Sequence, residues 1–417
     1  MSQSTAGAMA VGPDAANSSF FGDTWGDRCL NVARCLAIAT AVSVPVSTAL
    51  TSLTVHLMVI AWLISGRAIE TIMRAVRQPA GMALCVFLVV AATGLLYGPA
   101  EFSERWGGYL GWRRIAYALI PLGLFGLVIW KRRFVVAFII ASAVWVIVSY
   151  LAWISGFSLA KYAGAMPGVV LQNHAVQGVT FAFGLLCVLQ YLGDAPAKFR
   201  PWLYALGTAL ALNIVFLTPG RSGYLAMFVV LAICAHSLFR ARRTTMWVLL
   251  IAAALLAYAA SPTMRGRIDT AVAEVRNPTI APENAMGTRM VFYETSVDLI
   301  KERPWFGYGS AGFGKIFSST VKERYTDWRA IPSTDPHNIY LLIATEHGLV
   351  GLAVFIGFLV VTLWRAPRDR YGWIGVGVLL ALMATSLFNS HFRTFPEAHL
   401  LAMFFGAMLA RGERLQQ

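Results

Sequence analysis

The stretch Ser333-Thr-Asp-Pro-His-Asn-Ile-Tyr-Leu-Leu-Ile-Ala-Thr-Glu-His-Gly-Leu-Val-Gly-Leu352 joins a polar turn to a strongly apolar segment. The turn carries a carboxylate, an imidazole and an amide, on Asp335, His337 and Asn338. The apolar run continues to about residue 364, longer than the roughly 20 residues that cross a bilayer core of ~30 Å. The pattern predicts a membrane-spanning helix that begins at a turn with titratable side chains.

The whole chain has the composition of an integral membrane protein. Of its 417 residues 58% are hydrophobic and 13% are charged, whereas about one quarter of a soluble protein is charged. We predict an all-α polytopic fold of about 12 transmembrane helices. The predicted spans are 31–45, 47–65, 80–98, 111–130, 134–156, 175–193, 201–218, 222–239, 245–260, 338–364, 372–387 and 396–410.

The net charge of +14 indicates topology, not nucleic-acid binding. Basic clusters such as Lys131-Arg132-Arg133 follow alternate spans and place both termini in the cytoplasm under the positive-inside rule. The predicted organisation is then a disordered cytoplasmic N-terminus without a cleavable signal peptide, nine spans, a large outside loop, three spans and a cytoplasmic tail. The corresponding ranges are 1–28, 29–260, 261–337, 338–410 and 411–417.

The large outside loop is long enough to favour a functional role. Residues 287–301 are typical of an amphipathic helix at the membrane surface, with Pro304 ending it. Its predicted apolar stripe consists of Met290, Tyr293, Val297 and Ile300, and Arg289 lies off that stripe. The Gly307-Tyr-Gly-Ser-Ala-Gly312 motif that follows has neither the β-strand nor the helix of a dinucleotide site. Its glycines indicate a tight turn and close backbone approach.

Three short outside turns carry further candidate residues. Arg221 lies in Leu217-Thr-Pro-Gly-Arg-Ser-Gly-Tyr224, either as a ligand-binding group together with Tyr224 or as a cation snorkelling to the interface. In Leu171–Gly178 the side chains of Gln172, Asn173, His174 and Gln177 suit sugar hydroxyls, with helix capping by Asn173 as the alternative. The last turn, Phe388-Asn-Ser-His-Phe-Arg393, offers His391 and Arg393.

These residues suit an anionic ligand and one proton transfer. Guanidinium groups bind phosphate through charge-assisted, bidentate hydrogen bonds, and His337 can act as a base because an unperturbed imidazole has a pKa of about 6.5. Asp335 either orients the imidazole or forms part of a helix cap. The scattered histidines and the five cysteines have no metal-ligand spacing, so we expect no metal and no cofactor.

Roughly residues 170–410 resemble the O-antigen ligase and O-antigen polymerase superfamily of bacterial inner membranes. The matching motifs are Pro219-Gly-Arg-Ser-Gly223, Gly287-Thr-Arg289, Arg303-Pro-Trp-Phe-Gly-Tyr-Gly309, Pro336-His-Asn338 and Glu346-His-Gly-Leu-Val-Gly351. The first 170 residues match only in hydropathy.

The resemblance implies a GT-C-like glycosyltransferase of the Gram-negative inner membrane, with its active site facing the periplasm. Its donor would be an undecaprenyl-diphosphate-linked glycan, and its acceptor the lipid A-core oligosaccharide for a ligase. Arg221 and Arg289 would bind the diphosphate and His337 would be the base. A single large periplasmic loop favours a ligase over a polymerase that extends the donor. A flippase or transporter of lipid-linked glycans is the alternative from another class.

Overall fold

The computed structural model describes residues 24–160, 166–276 and 285–412, and the described chain is helical without β-strands. The expectations for residues 1–23 and 413–417 lie outside these ranges. Trp25–Arg28, predicted as part of a disordered N-terminus, are helical. The first eight helices are α1 (Trp25–Ser43), α2 (Thr48–Ile64), α3 (Ala68–Arg77), α4 (Pro79–Thr93), α5 (Phe102–Leu110), α6 (Arg113–Ala116), α7 (Leu119–Leu124) and α8 (Val128–Ile154).

The remaining helices fall into three groups along the chain. Before the large loop come α9 (His174–Tyr191), α10 (Arg200–Leu212), α11 (Arg221–Leu238) and α12 (Arg243–Ala260). The loop contains α13 (Pro262–Arg276), α14 (Ala285–Glu302) and α15 (Gly312–Arg324). The chain then continues through α16 (Ile339–Arg365), α17 (Arg370–Thr385) and α18 (Phe395–Leu409).

Six described helices are long and apolar enough to cross a membrane, and α2 with α3 forms a pair bent by 107°. The helices α4, α17 and α18 are apolar but shorter. Eleven of the twelve predicted spans coincide with helices, but 111–130 is broken into α6 and α7. Pro121 has no backbone N–H to donate to the preceding turn. In addition, the Arg114 side chain points inward and donates to the carbonyl of Arg393.

The core of the bundle is formed by α9, α17 and α18. Almost every residue of α18 is buried, and α9 packs between α8, α10, α11 and α17. Edge-to-face aromatic contacts join α18 to α8, because the ring centroid of Phe404 lies 4.9 Å from that of Phe134 and 4.8 Å from that of Phe138. This central packing fixes the helix ends from which the candidate site is built.

We call α13, α14, α15 and the short 3₁₀ turn Trp328–Ala330 the cap, because they cover one end of the bundle. The cap contains more helical structure than the single amphipathic helix that the sequence predicts. The face of α14 that is buried in the protein is not the predicted apolar stripe, because Val297 is 41% exposed while Phe292 and Leu299 are buried. The buried face also includes the polar residues Thr295 and Ser296. The pattern of hydrophobic residues alone therefore does not locate the buried face of α14.

The glycine loop Gly307–Gly312 attaches the cap to the bundle at a kink in α16. Gly348 has φ 67° and ψ −172° within that helix, a conformation open essentially to glycine alone. The kink leaves carbonyls for the loop, and Gly309 N–H donates to the carbonyl of Glu346 at 2.7 Å. A Cβ on Gly348 would collide with the carbonyl of Trp305. The loop therefore makes the close backbone approach that its glycines predicted.

Candidate functional site: an arginine-lined cavity at the cap end

A cavity of about 1020 Å³ lies between the cap and the ends of three bundle helices. It is formed by the beginnings of α9 and α11, one face of α13, Arg289 of α14 and the end of α17. Its polar and charged side chains are His174, Arg221, Ser222, Tyr224, Arg267, Thr270, Glu274, Arg276, Arg289, Thr385 and Asn389. Four guanidinium groups and one carboxylate thus face a common space.

Two glycines bring the beginnings of α9 and α11 together. A Cβ on Gly178 would lie 2.8 Å from the Cα of Gly223, so the two helices touch backbone to backbone. Gly220 in turn lies against the carbonyl of His174. This contact places the His174 side chain and the Arg221 guanidinium on the same wall of the cavity.

Arg221 is the first residue of α11 and faces the cap. Its Nε donates to the carbonyl of Arg267 at 3.2 Å, and both terminal nitrogens lie 3.4 Å from Oε2 of Glu274. Its side chain is 30% exposed. Arg221 is thus held against the cap by contacts to α13, and it is not a guanidinium directed away from the protein as in the snorkelling interpretation.

Arg289 lies in the second turn of α14, close enough to Arg221 for the two charges to interact. Desolvation by the surrounding protein lowers its pKa, and the positive charge of Arg221 acts in the same direction, while Tyr293 and Glu274 oppose it. Among the described residues no side chain or carbonyl accepts a hydrogen bond from Arg289. A half-buried cation without such a partner is a favourable position for an anionic ligand.

Tyr224 supplies a neutral hydrogen-bonding group to the same cavity. It is 7% exposed, and its hydroxyl is buried without a hydrogen-bond partner among the described residues. Buried hydroxyls are normally satisfied. Tyr224 thus lines the cavity with its hydroxyl unsatisfied in the cavity wall.

His337 lies beside the cavity but does not line it. The neighbouring Arg289 is close enough to influence its charge, and its ring stacks on Phe292 with centroids 5.9 Å apart. Desolvation lowers the pKa of His337, Asp335 opposes this effect, and Arg289 adds to it. Within the described part of the chain neither ring nitrogen is hydrogen-bonded. The imidazole is therefore neutral at pH 7 with both nitrogens available.

The turn before α16 holds His337 in a left-handed conformation, with φ 55°. The helix cap is Asn338, whose side chain accepts from Tyr340 N–H and Leu341 N–H at 3.0 and 3.1 Å. Assigning the cap to Asp335 was wrong, because that carboxylate bonds the backbone of His337 instead. Asn338 is thus engaged in supporting α16 and does not line the cavity.

Of the four polar residues predicted before α9, only His174 lines the cavity. Asn173 accepts from Val176 N–H at 2.9 Å, as the capping alternative predicted. Gln172 bonds the carbonyl of Val44. Gln177 is buried in a network that includes Asn213. Their hydrogen-bonding capacity therefore serves the fold.

Arg393 and His391 also point away from the cavity. Arg393 is paired with buried Glu346 at 3.1 Å and lies over the ring of Trp112. His391 is buried 3.5 Å from Glu397. The last turn reaches the cavity instead through Asn389, which the sequence did not single out.

Three charged residues of α13 were missed, namely Arg267, Glu274 and Arg276, all of which line the cavity. A signal for the first two was present, because residues seven apart fall on one face of a helix. The spacing alone does not show which part of the protein this face of α13 contacts, and in the structure it faces Arg221. Among the described residues no group of three or more His, Cys, Asp or Glu side chains is arranged to hold a metal ion.

An apolar groove of about 1020 Å³ lies on the other side of the end of α17. It runs between α11, α12, α16 and α17, from Arg368 and Trp373 at one end to Leu387 at the other. The two spaces border the same helix end, where Ala384 lines the groove and the next residue, Thr385, lines the cavity. The cationic cavity and the apolar groove together suit a ligand with an anionic head and a long apolar tail.

The fold and these two spaces define a multi-pass α-helical membrane protein with a cationic cavity at one end of its bundle. Residues 206–356 match the family model described as O-antigen ligase, and this range contains Arg221, Arg289 and His337. This match supports the O-antigen ligase/polymerase superfamily that the motifs predicted. Among curated proteins no relative matches the chain.

Proposed function

We propose that the protein is an O-antigen ligase. It transfers a glycan from undecaprenyl diphosphate to a sugar hydroxyl of the lipid A-core oligosaccharide during lipopolysaccharide biosynthesis. In this proposal the chain crosses the Gram-negative inner membrane about twelve times as a GT-C-like enzyme, with both termini in the cytoplasm. The cavity then faces the periplasm, an orientation that the positive-inside rule supports because the basic clusters lie in the loops on the opposite side.

The observation that carries the proposal is the placement of the cavity and the groove on either side of the end of α17. Ala384 and Leu387 face the groove, while Thr385 and Phe388 face the cavity. A polyprenyl diphosphate has the matching division into apolar tail and charged head. The tail lies in the membrane groove, and the diphosphate passes the helix end into the cavity.

Arg221 and Arg289 bind the diphosphate of this donor. Both guanidinium groups face the cavity, and Arg289 has no competing hydrogen bond among the described residues. In a site partly withdrawn from water these charges stabilise the negative charge that develops on the leaving diphosphate as the glycosidic bond breaks. The Tyr224 hydroxyl donates an additional hydrogen bond.

His337 takes the proton from the acceptor hydroxyl. The hydroxyl oxygen forms a bond to the anomeric carbon on the face opposite the departing diphosphate, so the configuration at that carbon is inverted. The neutral imidazole next to Arg289 is suited to this step, and general-base assistance typically contributes ~10²–10⁴-fold. The acceptor sugar enters between His337 and the cavity.

No divalent metal takes part in the proposed reaction, because the two arginines already neutralise the charge of the diphosphate. Transfer in EDTA should equal transfer in Mg²⁺. A loss of activity in EDTA that Mg²⁺ restores would contradict this part of the proposal.

A reaction with defined substrates distinguishes the ligase from its alternatives. Purified protein in nanodiscs is given an undecaprenyl-diphosphate-linked glycan with and without lipid A-core. A ligase forms glycosylated lipid A-core and releases undecaprenyl diphosphate. A polymerase lengthens the lipid-linked glycan without the acceptor. A flippase forms neither product but moves the donor across a vesicle membrane.

A further inference from the structure

Glu274 lies in the cavity between the two arginines that the proposed function assigns to the donor diphosphate. Its Oε2 is 3.4 Å from both terminal nitrogens of Arg221. Its charge also acts on Arg289. The carboxylate thus contacts Arg221 directly and acts on Arg289 through its charge, from a position that an oxygen of a bound phosphate would also take.

The Arg221–Glu274 pair is loose for a charge-assisted contact. Such N–H···O⁻ hydrogen bonds are usually 2.7–2.9 Å long, whereas both distances here are 3.4 Å. The carboxylate is nevertheless largely withdrawn from water, with its side chain 13% exposed. Glu274 therefore screens the arginines without forming the tight bidentate pair that phosphate can form.

The attachment of α13 permits this carboxylate to leave. The beginning of α13 is fixed to the bundle, where Ser261 Oγ donates to the carbonyl of Val215 at 2.7 Å and Thr263 Oγ1 to that of Phe216 at 3.2 Å. Glu274 lies in the last turn of the helix, two residues before its end. Moving the carboxylate aside leaves the anchored end in place.

We infer that Glu274 is an exchangeable counter-ion of the site: it neutralises Arg221 and Arg289 in the empty enzyme and gives way to the donor diphosphate. The inference rests on the proposed function, because it takes the two arginines as the diphosphate site. When the reaction ends, the carboxylate returns to the arginines and favours release of the undecaprenyl diphosphate product. Glu274 is a positioning residue that acts through Arg221 and touches no reacting atom.

The exchange predicts opposite effects on binding and turnover. Glu274→Gln removes the competing charge but keeps the size of the side chain. Binding of undecaprenyl diphosphate should tighten about fivefold, in line with the modest strength of partly exposed ion pairs. KM for the donor should fall, and kcat should fall with it because the product leaves more slowly.

The control is Glu294→Gln. Glu294 lies on α14, is exposed and does not line the cavity, so this variant changes the charge of the cap by the same amount outside the site. Equal tightening in Glu294→Gln would mean that only the overall charge matters and would overturn the inference. Unchanged or weaker binding in Glu274→Gln would do the same.

Binding is measured on full-length protein in nanodiscs, with undecaprenyl diphosphate as the probe and thermal stability recorded for each variant. An Arg221→Ala variant tests the proposed diphosphate site separately from the counter-ion role of Glu274. Weaker binding in Arg221→Ala with no tightening in Glu274→Gln refutes the counter-ion and leaves the diphosphate site standing. Wild-type protein that does not bind the probe, or an Arg221→Ala variant that binds it unchanged, refutes both.

Discussion

The backbone N–H of His337 donates to Oδ1 of Asp335 at 2.7 Å, so the carboxylate orients the histidine through its main chain. The same oxygen accepts from Ser390 Oγ at 2.7 Å. The turn is thereby tied to the loop after α17, and it supports the left-handed conformation of His337. The sequence suggested contact between the two side chains, but the structure shows control of backbone direction.

This geometry predicts a pH shift in Asp335→Asn. Asparagine can accept the same backbone bond and tolerates turn conformations, but it lacks the charge that raises the pKa of His337. Since the wild-type pKa is already lowered by desolvation, losing the carboxylate lowers it further. The acid limb of kcat/KM should move to lower pH, measured between pH 4.5 and 8.

Asp335→Ala is the comparison variant, because it removes both the charge and the backbone acceptor. Its activity should fall at every pH. An acid limb that stays in place or moves upward in Asp335→Asn would contradict the assigned electrostatic role.

His337→Asn should remove the proposed base while keeping the left-handed backbone conformation at residue 337. Asparagine visits left-handed backbone routinely, so the turn should form, while the loss of the base should reduce transfer by ~10²-fold or more. His337→Ala should lose the same activity and about 1 kcal/mol of stability as well, because alanine is strained at positive φ. Glycan transfer and thermal inactivation in detergent measure the two effects. Near wild-type transfer by His337→Asn would exclude the histidine as base.

Arg289→Ala should weaken binding of undecaprenyl diphosphate by about tenfold to a hundredfold, since a hydrogen bond to a charged group contributes ~1.5–3 kcal/mol. Arg289→Lys should recover only part of this, because an ammonium lacks the planar fork. Arg265→Ala is the control, because Arg265 is exposed on α13 and outside the cavity lining. Full recovery by lysine would show that charge alone suffices.

Arg393→Ala should act on stability before it acts on donor binding. Removing this guanidinium leaves the carboxylate of Glu346 buried without its ion-pair partner, a change that typically costs 3–5 kcal/mol. The double variant Arg393→Ala with Glu346→Gln should regain part of the loss. A stable Arg393→Ala protein with weakened donor binding would restore the substrate-binding role that the sequence suggested.

Gly348→Ala should loosen the attachment of the cap. The added methyl group would meet the carbonyl of Trp305, and φ 67° with ψ −172° is strained for alanine. A loss of about 1–3 kcal/mol is expected from the backbone conformation alone. Gly357 on the same helix has open space at its Cβ position, so Gly357→Ala should be neutral. Limited proteolysis and thermal inactivation compare the two.

Much of the bundle follows from hydropathy, because the bilayer imposes a length and a composition on each helix. The segment 111–130 shows the limit of this argument. Its apolar residues suffice for a span, but Pro121 and the inward contact of Arg114 break it into α6 and α7. Hydropathy measures preference for lipid and does not register which residues a neighbouring loop will contact.

The charged residues of the site were only partly predictable. Arg221, Arg289 and His337 were identified from their motifs, and the structure brings them together at the cap end. Glu274 was not identified, since its place at the site depends on where α13 lies relative to the Arg221 side chain, a tertiary relationship that local sequence does not encode. For Arg393 the sequence predicted a role in binding, but the structure pairs its guanidinium with Glu346, which is 47 residues away in the chain.

The kink at Gly348 has a consequence for engineering chimaeric enzymes. The glycine loop depends on that kink and on the end of α4, where Ser310 N–H donates to the carbonyl of Gly94 and the Tyr97 hydroxyl to that of Phe306. Residues 262–330 are therefore not an exchangeable cassette. A graft of this segment must carry 94–98 and 345–350 from the same parent, because these residues make the backbone contacts that hold the glycine loop.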